Sequence, residues 1–307
     1  MAYRQFDIPR DGGMLHGAIW GNGPRIVLGS HGITANHITF KPIADRLADG
    51  YTLIAVDHRG RARSNGITGP WGMQQHADDL IAVLDHFKIA RVDLLLGQSM
   101  GGFVSAVAAS QHPERFGAVL FADGGLPLVE KIPWFLPAGF FLRLMLGPSM
   151  KRLGMSFASR AAYLDYWREH PALATDWSDD LEKYLEYDLV GEAPNLRSST
   201  SREAVVGDTR SMMDSDIVPR SLRALKVPVR LLRAPRGIMN GKPLYTDKHL
   251  KTWAPRIASF SSITVPDVNH YTIIMSKHGA DAVTREIVQM IDATQASSAQ
   301  PAQLATA

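Results

Sequence analysis

In the stretch LLLGQSMGGFVSAVAA, residues 94–109, an apolar run ends at Gly97 and a serine follows two positions later. Residues 97–101 read Gly-Gln-Ser-Met-Gly, which meets the pattern G-x-S-x-G. That spacing suits a serine held on a sharp turn between a strand and a helix. Glycines two positions either side leave room where side chains would strike the neighbouring strand and helix. The turn raises the hydroxyl of Ser99 from the sheet edge and sets it at a helix N-terminus, whose dipole favours developing negative charge. The competing reading is a serine that merely caps a helix after a glycine turn. The junction of an apolar strand with a helix of small residues is the context the catalytic reading requires.

A serine hydroxyl is a poor nucleophile and needs a base within hydrogen-bond reach. Eleven histidines compete for that role. His76, His86, His112 and His170 fall on helical patterns or surface loops and are expected to be solvated. His278 lies inside a helical pattern. His270 stands in VPDVNHYT, a loop straight after the last expected strand and before the last helix, so it is the candidate base. There is no cysteine, which excludes disulfides, thiolate metal sites and a cysteine nucleophile.

The elements that must position these residues follow from the apolar pattern. Residues 3–8 and 14–20 read as two strands joined by the turn PRDGG. RIVLGS (25–30), YTLIAVD (51–57), RVDLLLG (91–97) and FGAVLFAD (116–123) are runs of buried-strand length, separated by helical patterns that include 73–87 and 100–111. Continuously apolar strands alternating with helices imply a mostly parallel sheet with helices on both faces. The rhythm breaks after Asp123. Residues 126–220 hold helical segments rich in aromatic residues and show no clear strand. It resumes with VPVRLLRA (227–234), a helix near 246–254, the strand SITVP (262–266) and a helix through 276–293. The expected organisation is a core of residues 1–125 and 221–293, an inserted helical segment at 126–220, and a disordered tail at 294–307.

The 307 residues carry 33 basic and 30 acidic side chains, a formal charge of +3. That balance is too small and too mixed to point to nucleic acid or to a membrane surface. No apolar run approaches the roughly 20 residues that span a bilayer. The first residues lack a charged start followed by a long apolar core, so no signal peptide is expected and the expected location is cytoplasmic.

SHGIT after the third strand, DHRGRARS after the fourth, GQSMGG after the fifth and DVNHYT near the end occur in the order of the α/β-hydrolase superfamily, which this chain resembles over most of residues 3–293. The resemblance implies an α/β-hydrolase fold with a helical cap at 126–220 and a catalytic order of serine, acid and histidine. Ala62 stands where a glycine is common. Asp57, Arg59 and Ser64 are then structural turn residues, and His31 stabilises its loop. The resemblance places two oxyanion donors on the backbone N–H groups of Met100 and Ile33. The acid most often follows the strand at 227–234, but that loop offers no carboxylate before Asp247, and Asn240 carries no charge. Some members, among them certain lactone hydrolases, use the end of the preceding strand, here Asp123. Asp123 is the first choice, Asp247 the second, and Asp267 is too close to His270 along the loop.

Serine at the nucleophile position excludes the relatives that require aspartate there, the dehalogenases and epoxide hydrolases. The expected activity is hydrolysis of a carboxylic ester or lactone of a hydrophobic small molecule, with no metal or organic cofactor. A C–C bond hydrolase acting on a diketone uses the same groups, and a non-catalytic binding module could use the same fold. A lid over such a site must turn some aromatic side chains inward, and Trp134, Phe135, Tyr163 and Trp167 are the candidates.

Overall fold

The computed structural model describes residues 2–128, 150–214 and 216–299. β1 (Tyr3–Arg10) and β2 (Gly13–Gly21) form the expected hairpin. β3 (Arg25–Ser30), β4 (Tyr51–Val56), β5 (Leu94–Gln98), β6 (Val119–Ala122), β9 (Val229–Arg233) and β10 (Phe260–Thr264) complete one sheet of eight strands. Its order is β1-β2-β4-β3-β5-β6-β9-β10, and only β2 runs against the rest.

Apolar residues alternate between the two faces of this sheet, each covered by its own core. Leu53 of β4 and Leu94 and Leu96 of β5 enter one core, while Ile54 of β4 and Leu95 of β5 enter the other. Burial on both faces explains why these strands read as unbroken apolar runs. The helices α1 (Lys41–Ala44), α2 (Met73–His86) and α3 (Met100–Gln111) connect the first half of the sheet. Leu80, Val83 and Leu84 of α2 and Val104 and Val107 of α3 meet in the second core.

Between β6 and β9 lie α4 (Arg160–Arg168), α5 (Asp179–Tyr187), α6 (Arg202–Asp214) and α7 (Ile217–Ala224). Two features differ from the expectation. A two-stranded pair, β7 (Leu189–Val190) with β8 (Arg197–Ser198), interrupts the helices. It is two residues long on each side, too short for an alternating pattern to register. α7 also spans the expected boundary at 220, because Val218 and Leu222 are already buried in the core shared with α3.

The end of the chain holds α8 (Asp247–Trp253), α9 (Thr272–Met275) and α10 (Lys277–Ala299). α10 runs six residues past 293, which corrects the expectation that the tail begins at 294. Alanine and glutamine continue a helix readily, and the hydroxyls of Thr294 and Ser297 turn back onto the carbonyls of Met290 and Ala293 within it. The remainder of that tail, 300–307, lies outside the described residues. Among the described residues no helix is long and apolar enough to cross a membrane.

Candidate active site

The carboxyl ends of β5 and β6 and the loop after β10 converge on one point. Ser99 forms the bend between β5 and α3 with φ 52° and ψ −120°, a conformation an L-residue holds only under constraint from its surroundings. The constraint is visible in the packing. A Cβ on Gly97 would sit 2.4 Å from the carbonyl oxygen of Gly101, and one on Gly101 would sit 1.8 Å from that of Ser30. Glycine at both positions therefore lets β3, β5 and α3 meet beneath a half-buried Ser99.

Ser99 Oγ lies 3.0 Å from His270 Nε2, and His270 Nδ1 lies 2.8 Å from Asp123 Oδ2. Asp123 follows β6 and is fully buried, and its other oxygen accepts the N–H of Ala234 at 3.0 Å. A carboxylate can only accept, so Nδ1 of His270 carries a proton toward Asp123 and Nε2 is free to accept from Ser99. His270 is held by its neighbour. The side chain of Asn269 accepts the N–H groups of Tyr271 and Thr272, each at 3.0 Å, and donates to the carbonyl of Ala172 at 2.8 Å. Such a row can remove the serine proton as Oγ attacks a carbonyl and return it to a leaving group.

Asp247 stands elsewhere. It begins α8, is largely exposed, and pairs with Arg233 at 2.6 Å. Asp267 has its carbonyl bound by Arg236. His278 is exposed at the start of α10. His76 departs from the expectation of a solvated ring. It is fully buried and its Nε2 meets Asp208 at 2.9 Å, a partner 132 residues away that no local pattern announces.

The loop after β3 lies against Ser99. A Cβ on Gly32 would be 3.2 Å from Ser99 Cβ and 2.6 Å from Gln98 Oε1. The N–H of Met100 is the first of α3 and has no acceptor within the helix. The N–H of Ile33 enters no hydrogen bond among the described residues. The preceding carbonyl, Gly32 O, is bound by His31 Nδ1 at 2.7 Å and by the N–H of Ala35 at 3.2 Å. His31 Nε2 accepts the N–H of His58 at 2.9 Å, so this ring is neutral with its proton on Nδ1. Burial drives its pKa down to about 3, against the opposing pull of Asp57.

The turn residues behave structurally. Asp57 accepts from the backbone and ring of His37 and from Tyr187 at 2.8–2.9 Å. Arg59 forms a two-pronged pair with Asp79 at 2.6 and 2.7 Å. Ser64 accepts the N–H of His16.

Of the four aromatic residues expected to face a ligand, Trp134 and Phe135 lie outside the described residues. Tyr163 is not a free pocket wall. It is fully buried, and its hydroxyl donates to Asp188 at 2.8 Å beside the buried Arg152. Trp167 packs over the Arg152 guanidinium at 5.0 Å and against Tyr163. Both therefore serve the interior of the inserted segment, where a buried arginine and aspartate need covering. From this segment His170 meets Trp167 on one side and Tyr271 on the other, each with ring centres 5.5 Å apart. Tyr271 in turn edges His270. A loop histidine at that spacing gives no signal in the sequence.

An eight-stranded sheet with one reversed strand, a strained serine on the bend after β5 and a histidine after β10 define the class of α/β hydrolases. The family model for the alpha/beta hydrolase fold matches residues 25–205, and the chain belongs to that family. It is 26% identical over 264 residues to the 3-hydroxybutyrate-oligomer hydrolase of Cupriavidus necator, covering 82% of this chain and 85% of that protein. It is 27% identical over 184 residues to 3-oxoadipate enol-lactonase 2 of Acinetobacter baylyi, covering 60% of this chain and 61% of the relative. Among solved structures, E-2-(acetamidomethylene)succinate hydrolase superposes with a TM-score of 0.75 at 22% identity, over 95% of this chain and all of that one.

Proposed function

We propose that this hydrolase cleaves a carboxylic ester or lactone of a hydrophobic small molecule through an acyl-enzyme on Ser99. The observation that carries the reading is the unbroken row of Ser99, His270 and Asp123, with contacts of 3.0 and 2.8 Å. Ser99 Oγ attacks the carbonyl carbon while His270 Nε2 takes the hydroxyl proton. Asp123 keeps the imidazole in the accepting tautomer and stabilises its charged form. The carbonyl oxygen becomes an anion facing the N–H groups of Met100 and Ile33. The tetrahedral carbon then expels the alcohol, which takes the proton from His270. Water adds to the acyl-enzyme by the same route in reverse and frees the acid.

Two relatives bear on the substrate, one named as an oligomer hydrolase and one as a lactonase. In this reading residues 1–125 with the chain from α7 onward form the catalytic core, the segment before α7 caps it, and the protein acts in the cytoplasm. A purely binding role would leave the strained backbone at Ser99 without a purpose, since that conformation costs on the order of 1–3 kcal/mol.

Hydrolysis of p-nitrophenyl butyrate by the wild type and by Ser99→Ala tests the assignment. The variant is expected to lose at least about 10³-fold in kcat with its fold intact. Equal rates would remove Ser99 from the chemistry. A panel of short-chain, bulky aromatic and charged esters then tests the substrate class, and a strict preference for charged esters would count against it.

A further inference from the structure

The helix α6, with Ser201 just before it, is fastened to the turn 57–64 and to the start of α2 at several points. The N–H of Ser201 donates to Gly60 O at 2.7 Å, Asp208 Oδ1 accepts the N–H of Gly72 at 2.7 Å, and Ser211 accepts that of Met73 at 3.1 Å. At the centre stands a fully buried ion pair, Arg61 Nη1 with Asp208 Oδ2 at 2.6 Å. The guanidinium reaches further. Its Nη1 donates to Arg59 O at 2.8 Å, and its Nε donates to Ile33 O at 2.9 Å.

We propose that Arg61, anchored by Asp208 of α6, is a positioning residue for the oxyanion loop, so that the segment between β6 and β9 helps to aim the N–H of Ile33. The proposal rests on the reading of Ile33 as an oxyanion donor. The peptide that carries this N–H has its carbonyl, Gly32 O, fixed by His31, and the next carbonyl, Ile33 O, is fixed by Arg61. Residue 33 is thus pinned on both sides. Burying a charged pair is costly in desolvation, and apolar side chains of similar volume could fill the same space. The rigid fork of arginine supplies what they cannot, two directed donors that join Asp208 to a carbonyl beside the nucleophile.

Arg61→Lys keeps the charge opposite Asp208, but one ammonium at the end of a flexible stem does not hold both Asp208 and Ile33 O in fixed directions. Asp208→Asn removes the anchor from the other end. Each is expected to lower kcat on p-nitrophenyl butyrate about 10- to 100-fold, less than removal of a whole oxyanion donor, with KM within about threefold. A ¹³C-carbonyl alkyl trifluoromethyl ketone reports on the oxyanion itself. Ser99 adds to its carbonyl, the hydroxyl proton passes to His270, and the ketone oxygen becomes the anion. The pH at which this adduct ionises, read from its ¹³C shift, is expected to rise by about one unit for a tenfold loss of stabilisation. The double variant should be no worse than the more impaired single one, because the two residues act as one unit.

Single variants that fold and keep kcat within twofold of wild type with unchanged adduct ionisation would overturn the proposal. So would losses that multiply in the double variant. If one single variant does not fold, the other decides; if neither folds, the pair is a folding element and the proposal falls. A wild type that forms no adduct and hydrolyses no ester would instead remove the hydrolase reading on which the proposal rests.

Discussion

Asp123 fixes two things with its two oxygens, and that sets what a one-atom change would do. Oδ1 accepts from the N–H of Ala234 and Oδ2 faces His270 Nδ1. In Asp123→Asn the amide oxygen must take the Oδ1 position, since an amide nitrogen there would oppose the N–H of Ala234 donor to donor. The amide N–H then points at His270 and selects the tautomer protonated on Nε2, which no longer accepts the proton of Ser99. The expected result is a fall in kcat of about 10⁴-fold with little change in KM or in melting temperature. A loss smaller than tenfold would show that Asp123 does not set the tautomer. Ser99 and His270 were legible in the sequence because each sits at a junction that the apolar pattern defines. Asp123 was legible only through the resemblance to hydrolases that place the acid after β6. The direction of Tyr163 was not legible, because an aromatic residue at helical spacing reads the same whether it faces a ligand or, as here, hydrogen-bonds an internal aspartate.

At the level of elements, the apolar runs located β3 to its residue and the other sheet strands within a few residues; for the central strands β4, β5 and β6, burial on both faces leaves little room for another pattern. The inserted segment was far less legible. Its contacts depend on pairings such as Asp208 with Arg61 and His76, which join residues more than 130 positions apart and leave no local periodicity. The meeting of α3 with β3 makes a further test. A methyl group on Gly101 would fall 1.8 Å from Ser30 O and 2.9 Å from His31 O, both backbone atoms that cannot swing aside. Gly101→Ala should therefore push the start of α3 away from β3, separating Ser99 from the loop that carries Ile33. The expected cost is about 1–3 kcal/mol of stability, measured in urea, together with a clear loss of kcat. An unchanged urea midpoint would mean that the two elements do not meet as closely as described.

Across the whole molecule, buried imidazoles set an acid limit. His31 and His58 are fully enclosed beside the oxyanion loop, with ring centres 4.4 Å apart. Burial holds His31 neutral down to about pH 3 and keeps His58 well below the ordinary value of 6.5, the latter helped by neighbouring positive groups. In the unfolded chain both protonate as the pH falls through about 6.5. The unfolded state then binds more protons than the native one, so stability drops as the pH drops. Each histidine should contribute a slope of up to about 1.4 kcal/mol per pH unit below 6.5, and none above it. Asp208 adds a second stage of the same sign. Burial alone would raise its pKa, but the charges and hydrogen bonds of His76 and Arg61 outweigh that and hold it at about 2. Its contribution is intact above its ordinary value of 3.8 and is lost as the pH falls toward 2. Urea unfolding at intervals from pH 8 to pH 4.5 is therefore expected to give a plateau down to about 6.5 and then a steady decline. A stability that stays level or rises between pH 6.5 and 4.5 would mean that these rings take up protons in the folded state, and the neutral hydrogen-bonding pattern that holds Gly32 O beside Ser99 would have to be abandoned.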